Sequence, residues 1–302
     1  MHCYLTEGLE NAVHRRFIDS RSFSGAVRSQ RNALTASNGG QYLVFSPVTE
    51  PQFAKIDQLR DRHYRRLRFM YLTEAQTLVV KLMLSSIHEL ATSEFCRMLW
   101  KKAASIEKGL DWDLIGLGGS TYKGKFGIKE ANSVFRPRSS RPRRANWPTL
   151  VVESGVSETI ERLRVDAKWW LMNSWGEVNI VLVFSINEEN KEILIEQWEM
   201  ALPEDPAGTR SHSENATMLP KCISTFNLTL EDPPEPTAVA LADPFELAAA
   251  APANPPGPDV IPEGIRLGFE KVFARKPREG SGEKDLMFTP SELTNWWMRS
   301  VE

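Results

Sequence analysis

Four side chains able to bind a hard cation fall at the joints between the secondary-structure elements that the sequence suggests. Glu89 lies in the first turns of a helix, Glu130 and Asn132 on a strand leading to Pro137, and Glu153 at the end of the strand 147–153 (WPTLVVE). Carboxylate and amide oxygens gathered at strand ends are the usual cradle for Mg²⁺, or Mn²⁺ in its place. Glu153 is the sharpest candidate, because an acid closing a buried apolar run is uncommon. Glu130 and Asn132 are two residues apart and would share one face of an extended strand, where Glu130 either supplies charge or pairs with Lys129 at the surface. Glu89 either extends the site or favours the helix N-terminus through its dipole. A second chemistry is carried by the stretch 136–146 (RPRSSRPRRAN), where Arg136, Arg138, Arg141, Arg143 and Arg144 face water or a polyanion. Other chemistries lack their residues. His88 has no His or Cys at zinc spacing, Gly116, Gly118 and Gly119 form no phosphate-cradling pattern, and no GxSxG occurs, so no small-molecule cofactor is implied.

The elements that must position these residues follow from hydrophobic period. Residues 50–68 carry Phe53, Ile56, Leu59 and Tyr64 at helical spacing, and 76–84 (QTLVVKLML) is dense enough in apolar residues for a buried strand. Ser85 or Ser86 then caps a helix through Ile87, Leu90, Ala91, Phe95, Met98 and Leu99, stopped by Gly109. Residues 113–119 and 125–135 predict two strands around a turn at Lys123-Gly124. The strand 147–153 precedes a helix over 157–172, with Ile160, Leu163, Ala167, Trp170 and Leu171 on one face. Strands over 178–186 and 192–200 follow. Beyond these, 265–273 has strand character and Thr289-Pro290-Ser291-Glu292 starts a helix bearing Trp296 and Trp297.

Composition divides the 302 residues further. Residues 1–150 hold 24 Lys+Arg against 13 Asp+Glu, a net of +11, and 151–302 hold 13 against 26, a net of −13. A nucleic acid or an acidic partner suits the first half, unless its arginines are a solvated face or pair with the chain's own acidic stretch. Residues 1–50 mix Ser, Asn, Gly and Arg without sustained period and read as a poorly ordered arm. Residues 51–202 form the core. Residues 203–262 contain 12 of the 19 prolines and nine acids against two bases, a disordered acidic Pro/Ala-rich linker. Residues 263–302 return to the core. With no apolar run of bilayer length, no secretory leader and three scattered cysteines, the expected setting is intracellular, cytoplasmic or nuclear, with no membrane partner.

The passage IKEANSVFRP followed by WPTLVVESGVSETIERLRVDAKWWLMNSWGEVNIVLVFSI resembles the PD-(D/E)XK nuclease-like fold, particularly its uncharacterised fungal members and more distantly the Uma2-type restriction-endonuclease-like domains. The similarity spans about residues 70–200, and IRLGFEKVFARKP with SELTNWW is similar to the way those fungal chains finish. The resemblance implies an α/β, restriction-endonuclease-like αβββαβ core, a mixed sheet flanked by helices. It also implies metal-dependent phosphodiester hydrolysis, with Mg²⁺ held by Glu153, Asn132, Glu130 and Glu89. Ala131-Asn132 stands where the family has Pro-Asp, and Glu153 at its second acid. Gly155 stands where a lysine would follow, and Lys168 on the next helix becomes the substitute, giving a catalytic set of Glu153, Lys168 and Asn132. Losing the Asp charge weakens a Mg²⁺ ligand. The alternative is a catalytically inactive interaction module that presents the Arg136–Arg144 loop.

Overall fold

Apolar residues at period two and period 3.6 alternate along this chain, and the computed structural model resolves them into two six-stranded sheets separated and covered by helices, with a small antiparallel sheet of residues 265–267 and 286–288 beside them. It describes residues 2–36, 39–83, 87–156, 159–202, 217–230 and 264–301. The N-terminal part comprises α1 (His2–Thr6), β1 (Val13–Arg15), α2 (Ser20–Thr35), β2 (Tyr42–Phe45), α3 (Glu50–His63), β3 (Leu67–Leu72) and β4 (Thr77–Leu82). Next come α4 (Ile87–Ile106), the single turn α5 (Leu110–Asp113), β5 (Leu114–Gly116), β6 (Thr121–Lys123), β7 (Gly127–Glu130), β8 (Ser133–Pro137) and β9 (Leu150–Val156). The chain continues through α6 (Ile160–Asn173), β10 (Ile180–Asn187), β11 (Glu192–Ala201), β12 (Leu219–Thr229), β13 (Ile265–Leu267), α7 (Phe269–Phe273), β14 (Leu286–Phe288) and α8 (Pro290–Val301).

One six-stranded sheet has the order β12-β11-β10-β9-β8-β5. Within it β5–β8 and β8–β9 are antiparallel, β9–β10 parallel and β10–β11 antiparallel. The parallel step requires a crossover, and α6 supplies it. The succession α4, β5, β8, β9, α6, β10 is the αβββαβ arrangement of a restriction-endonuclease-like fold, with the β6–β7 hairpin inserted between its first two strands. The second sheet runs β1-β2-β4-β3-β7-β6.

Alternation along the strands sorts the side chains into three cores. Leu150, Val152, Leu182 and Phe184 pack with α4, α7 and α8, including Phe95, Phe273, Trp296 and Trp297. From the opposite face, Val151, Val181 and Val183 meet α6, which also touches Val44, Met70 and Val79 of the second sheet. The far face of that sheet, with Phe45, Phe69, Tyr71 and Val80, is covered by Phe23 and Val27 of α2 and Phe53 and Ile56 of α3. The result is five layers: helix, sheet, helix, sheet, helix. Because α6 lies between two sheets, nine of its fourteen residues are buried, Arg162 and Asp166 among them.

Three sequence expectations are corrected. Residues 1–50 are not a poorly ordered arm, since they carry α1, β1, α2 and β2. Their scattered apolar residues, which show no long period, cover the outer sheet, and Asp19 caps α2 through Ser22 N at 2.7 Å. Within the expected linker, β12 is an eleven-residue strand paired antiparallel with β11; residues 203–216 and 231–263 lie outside the described residues. The stretch 125–135 is two strands rather than one. β7 pairs with β3 and β6, whereas β8 pairs with β5 and β9, so the chain changes sheets at Ala131-Asn132. The expected capping serines, 85 and 86, also lie outside the described residues.

Candidate functional site

The change of sheets at Ala131-Asn132 decides which side chains meet. Glu130 and Lys129 are neighbours on β7 and point to opposite faces. Glu130 turns towards α3, where Arg60 bonds its Oε2 and Arg68 Nη1 lies 3.5 Å from Oε1. Lys129 points inward to the α6 layer, where its Nζ is 3.1 Å from Glu153 Oε1 and 3.2 Å from Asp166 Oδ2. The indole Nε1 of Trp170 donates to the same Glu153 oxygen at 2.6 Å, and Arg162 Nη2 stands 3.8 Å from Asp166 Oδ1. Lys81, from β4, donates to Ser154 O at 2.9 Å. Arg162 is itself held from the other side by the carbonyls of Tyr4, at 2.9 Å, and Glu7.

All five charged groups are buried, Glu153 to 1 % exposure. Burial pushes the Glu153 carboxyl above its ordinary range, against the pull of Lys129. Burial also opposes ionisation of Asp166, but Lys129, Arg162 and Lys81 together hold it below the usual value. Lys129 is raised, because the attraction of Asp166 and Glu153 outweighs its desolvation. The void among these groups, also bordered by Asn132 and Arg68, is about 10 Å³. That is room for about one water beside Glu153.

A larger cavity, about 360 Å³, opens on the α4 side of the sheet. Glu89, exposed on α4, and Asn132 both line it, with His88, Thr92, Ser133 and Arg68. Asn132 Oδ1 and Arg68 Nε are buried with no hydrogen-bond partner. Of its lining residues, Thr92 has its Oγ1 3.2 Å from the buried Ser154 Oγ, and burial pushes the Cys96 thiol up to about 11.

The residues expected to act together are therefore dispersed. Asn132 borders both spaces. It shares the small void with Glu153 and the larger cavity with Glu89, while Glu130 is occupied by Arg60. Lys168 lies apart on the outward side of α6, 3.6 Å from Glu7 Oε2. Among the described residues no group of three or more His, Cys, Asp or Glu side chains is placed to hold a metal. The set Glu153, Asn132, Glu130 and Glu89 does not fit Mg²⁺, because two of its three carboxylates are already neutralised by internal cations. The arginine loop is also divided. Arg136 is buried and bonds the carbonyls of Arg141 and Arg143, the latter at 2.6 Å. Arg141 Nη1 donates to the carbonyls of Trp147, Pro148 and Glu177. Arg138, Arg143 and Arg144 are exposed.

Lys129, Asp166, Lys81 and Arg162 are the members that sequence reasoning missed. Asp166 had a legible signal: it stands three residues after Leu163 and four before Trp170, on the face assigned to the core.

No family model matches the chain, and no curated protein does. Among solved structures it is similar to the crystal structure of a candidate nuclease belonging to DUF820 from Anabaena variabilis. The two share 11% identity over 46% of this chain and 81% of that one, at a TM-score of 0.32. The likeness at this level is partial.

Proposed function

We propose that this chain is a nuclease-like fold protein that binds nucleic acid without hydrolysing it. The observation that carries this reading is the closure of Glu153. A carboxylate that would ligate a cation is bonded instead to Lys129 and Trp170, in a space with room for one water. Hydrolysis at a metal centre needs an open coordination position and a substrate phosphate beside it. Binding is supported by the excess of 11 positive charges over residues 1–150 and by Arg138, Arg143 and Arg144, which remain exposed after Arg136 and Arg141 are spent on internal carbonyls.

The test uses plasmid and single-stranded DNA and RNA with Mg²⁺ or Mn²⁺. Neither the wild type nor Glu153→Ala is expected to cut above the buffer control. Filter retention of the same nucleic acids should weaken with salt, and replacing Arg138, Arg143 and Arg144 with Ala should reduce the log–log salt slope on duplex by up to about 2.7. Metal-dependent cleavage abolished by Glu153→Ala would overturn the reading, as would absence of retention at low salt.

A further inference from the structure

On the outer face of the molecule, remote from the β8–β9 loop, α2 and the segment joining α3 to β3 enclose a cavity of about 170 Å³. Its rim carries Arg28 and Arg31, three residues apart and therefore on one face of α2, and Arg65 and Arg66 from the joining segment. All four are exposed, no carboxylate lines the cavity, and none of the four is in an ion pair with a described residue. Only Arg65 has a side-chain bond within the chain, from Nε to Asp61 O at 3.3 Å. Four unneutralised guanidiniums around one opening raise the local potential and make it selective for anions.

The floor of the cavity is of a different character. Val27, Leu67, Leu82 and Met83 are buried apolar residues, and Tyr64 stands beside them. The Tyr64 ring is fixed edge-on against Phe23, with centroids 6.3 Å apart, while its hydroxyl has no hydrogen-bond partner among the described residues. A rigid aromatic wall, an apolar floor and a ring of guanidiniums together match a ligand with a planar apolar part and a phosphate. Pockets that enclose whole drug-sized molecules begin at roughly 300 Å³, so this one accommodates a single nucleotide unit in part.

We infer that this cavity is a binding site for a nucleoside monophosphate unit, its phosphate on Arg28, Arg31, Arg65 and Arg66 and its planar part against Tyr64. The unit is either a free nucleotide or the 5′-phosphorylated end of a strand, since both present the same chemistry. The inference goes beyond the proposed function and does not depend on it, for the site uses neither the Glu153 cluster nor the Arg136–Arg144 loop.

The experiment is calorimetric titration of the full chain at low salt with adenosine 5′-monophosphate, adenosine, inorganic phosphate, and a short oligonucleotide with and without its 5′-phosphate. The monophosphate is expected to bind at least about tenfold more tightly than adenosine or inorganic phosphate, and Arg31→Ala/Arg66→Ala to lose at least about tenfold of that affinity. Tyr64→Phe, which keeps the ring, should lose a smaller part of it. Tighter binding of the strand with its 5′-phosphate than of the same strand without it assigns the site to strand ends, and equal binding of the two strands assigns it to free nucleotides. The inference is overturned by absence of heat with the monophosphate at millimolar concentration, by inorganic phosphate binding equally well, or by wild-type affinity in a normally folded Arg31→Ala/Arg66→Ala protein.

Discussion

Lys129 is a fully enclosed cation serving two carboxylates, and its energetic role follows from that position. Removing one partner of a buried ion pair leaves an uncompensated charge and typically costs about 3–5 kcal/mol, whereas replacing both with apolar groups is often near neutral. Lys129→Met is therefore expected to lose about 3–5 kcal/mol in urea unfolding, and Lys129→Met/Glu153→Leu to lose less than the single substitution. Equal or greater loss in the double variant would show that the pair does not act as a unit. Asn132→Asp adds a third acid near the change of sheets, but Glu153 and Glu130 remain bound to Lys129 and Arg60. The substitution is expected to give no metal-dependent plasmid nicking, and a gain would show that the added acid and Glu89 suffice. Glu153 was legible as a special residue because it follows the apolar run WPTLVV, although it was expected to end its strand and stands instead at the middle of β9, which continues to Val156. Its partner was not, because reading 125–135 as one strand paired Glu130 with Asn132 and sent Lys129 to solvent. A one-residue change of face cannot be seen until the change of sheets is known.

At the level of elements, the segment after α7 is anchored by one acid. Glu283 accepts from Arg275 Nη1 and Nη2, both at 2.7 Å, and from the Arg278 backbone N–H at 2.7 Å. The Arg275 bonds, assisted by Arg278, hold its carboxyl down at about 2. A depressed carboxyl contributes stability that is complete above its unfolded value of 4.5 and is lost as pH falls towards about 2. Glu283→Gln should therefore melt below the wild type at pH 7, and the gap in thermal midpoint should close between pH 4.5 and 2. A gap independent of pH would refute the charge argument. The N-terminal segment has a comparable anchoring role. Gly8, at φ +68°, lies over Arg162, where a Cβ would come within 2.6 Å of the Arg162 Cβ, so Gly8→Ala should lift α1 from the ion cluster and lower the thermal midpoint. The helices α4, α6 and α8 and the strands β9 to β11 are readable from period alone, since each presents a long apolar face. The strand β3 is not, because its residues adjoin the charged end of α3 without a breaker, and α2 escapes notice because only a few of its residues are buried.

Across the whole molecule, the αβββαβ unit is joined to a second sheet through α6, and the joint is polar as well as apolar. The charge asymmetry of the sequence is only partly a surface property. Within the basic half Arg60, Lys81, Lys129 and Arg136 are consumed inside, while Arg28, Arg31, Arg65, Arg66, Arg138, Arg143 and Arg144 stay exposed. Composition registers all of them alike, which is why it indicates a polyanion but not where one would sit.

The two amines that face the inner strand both come from the outer sheet, Lys81 on β4 and Lys129 on β7. The nuclease-like motif is thus not self-sufficient: a chain cut back to residues 87–201 without the β6–β7 hairpin would enclose Glu153 with no counter-ion. Such a fragment would have to protonate that acid or let water in, and the smallest autonomous folding unit of this protein extends beyond the motif that gives the fold its likeness.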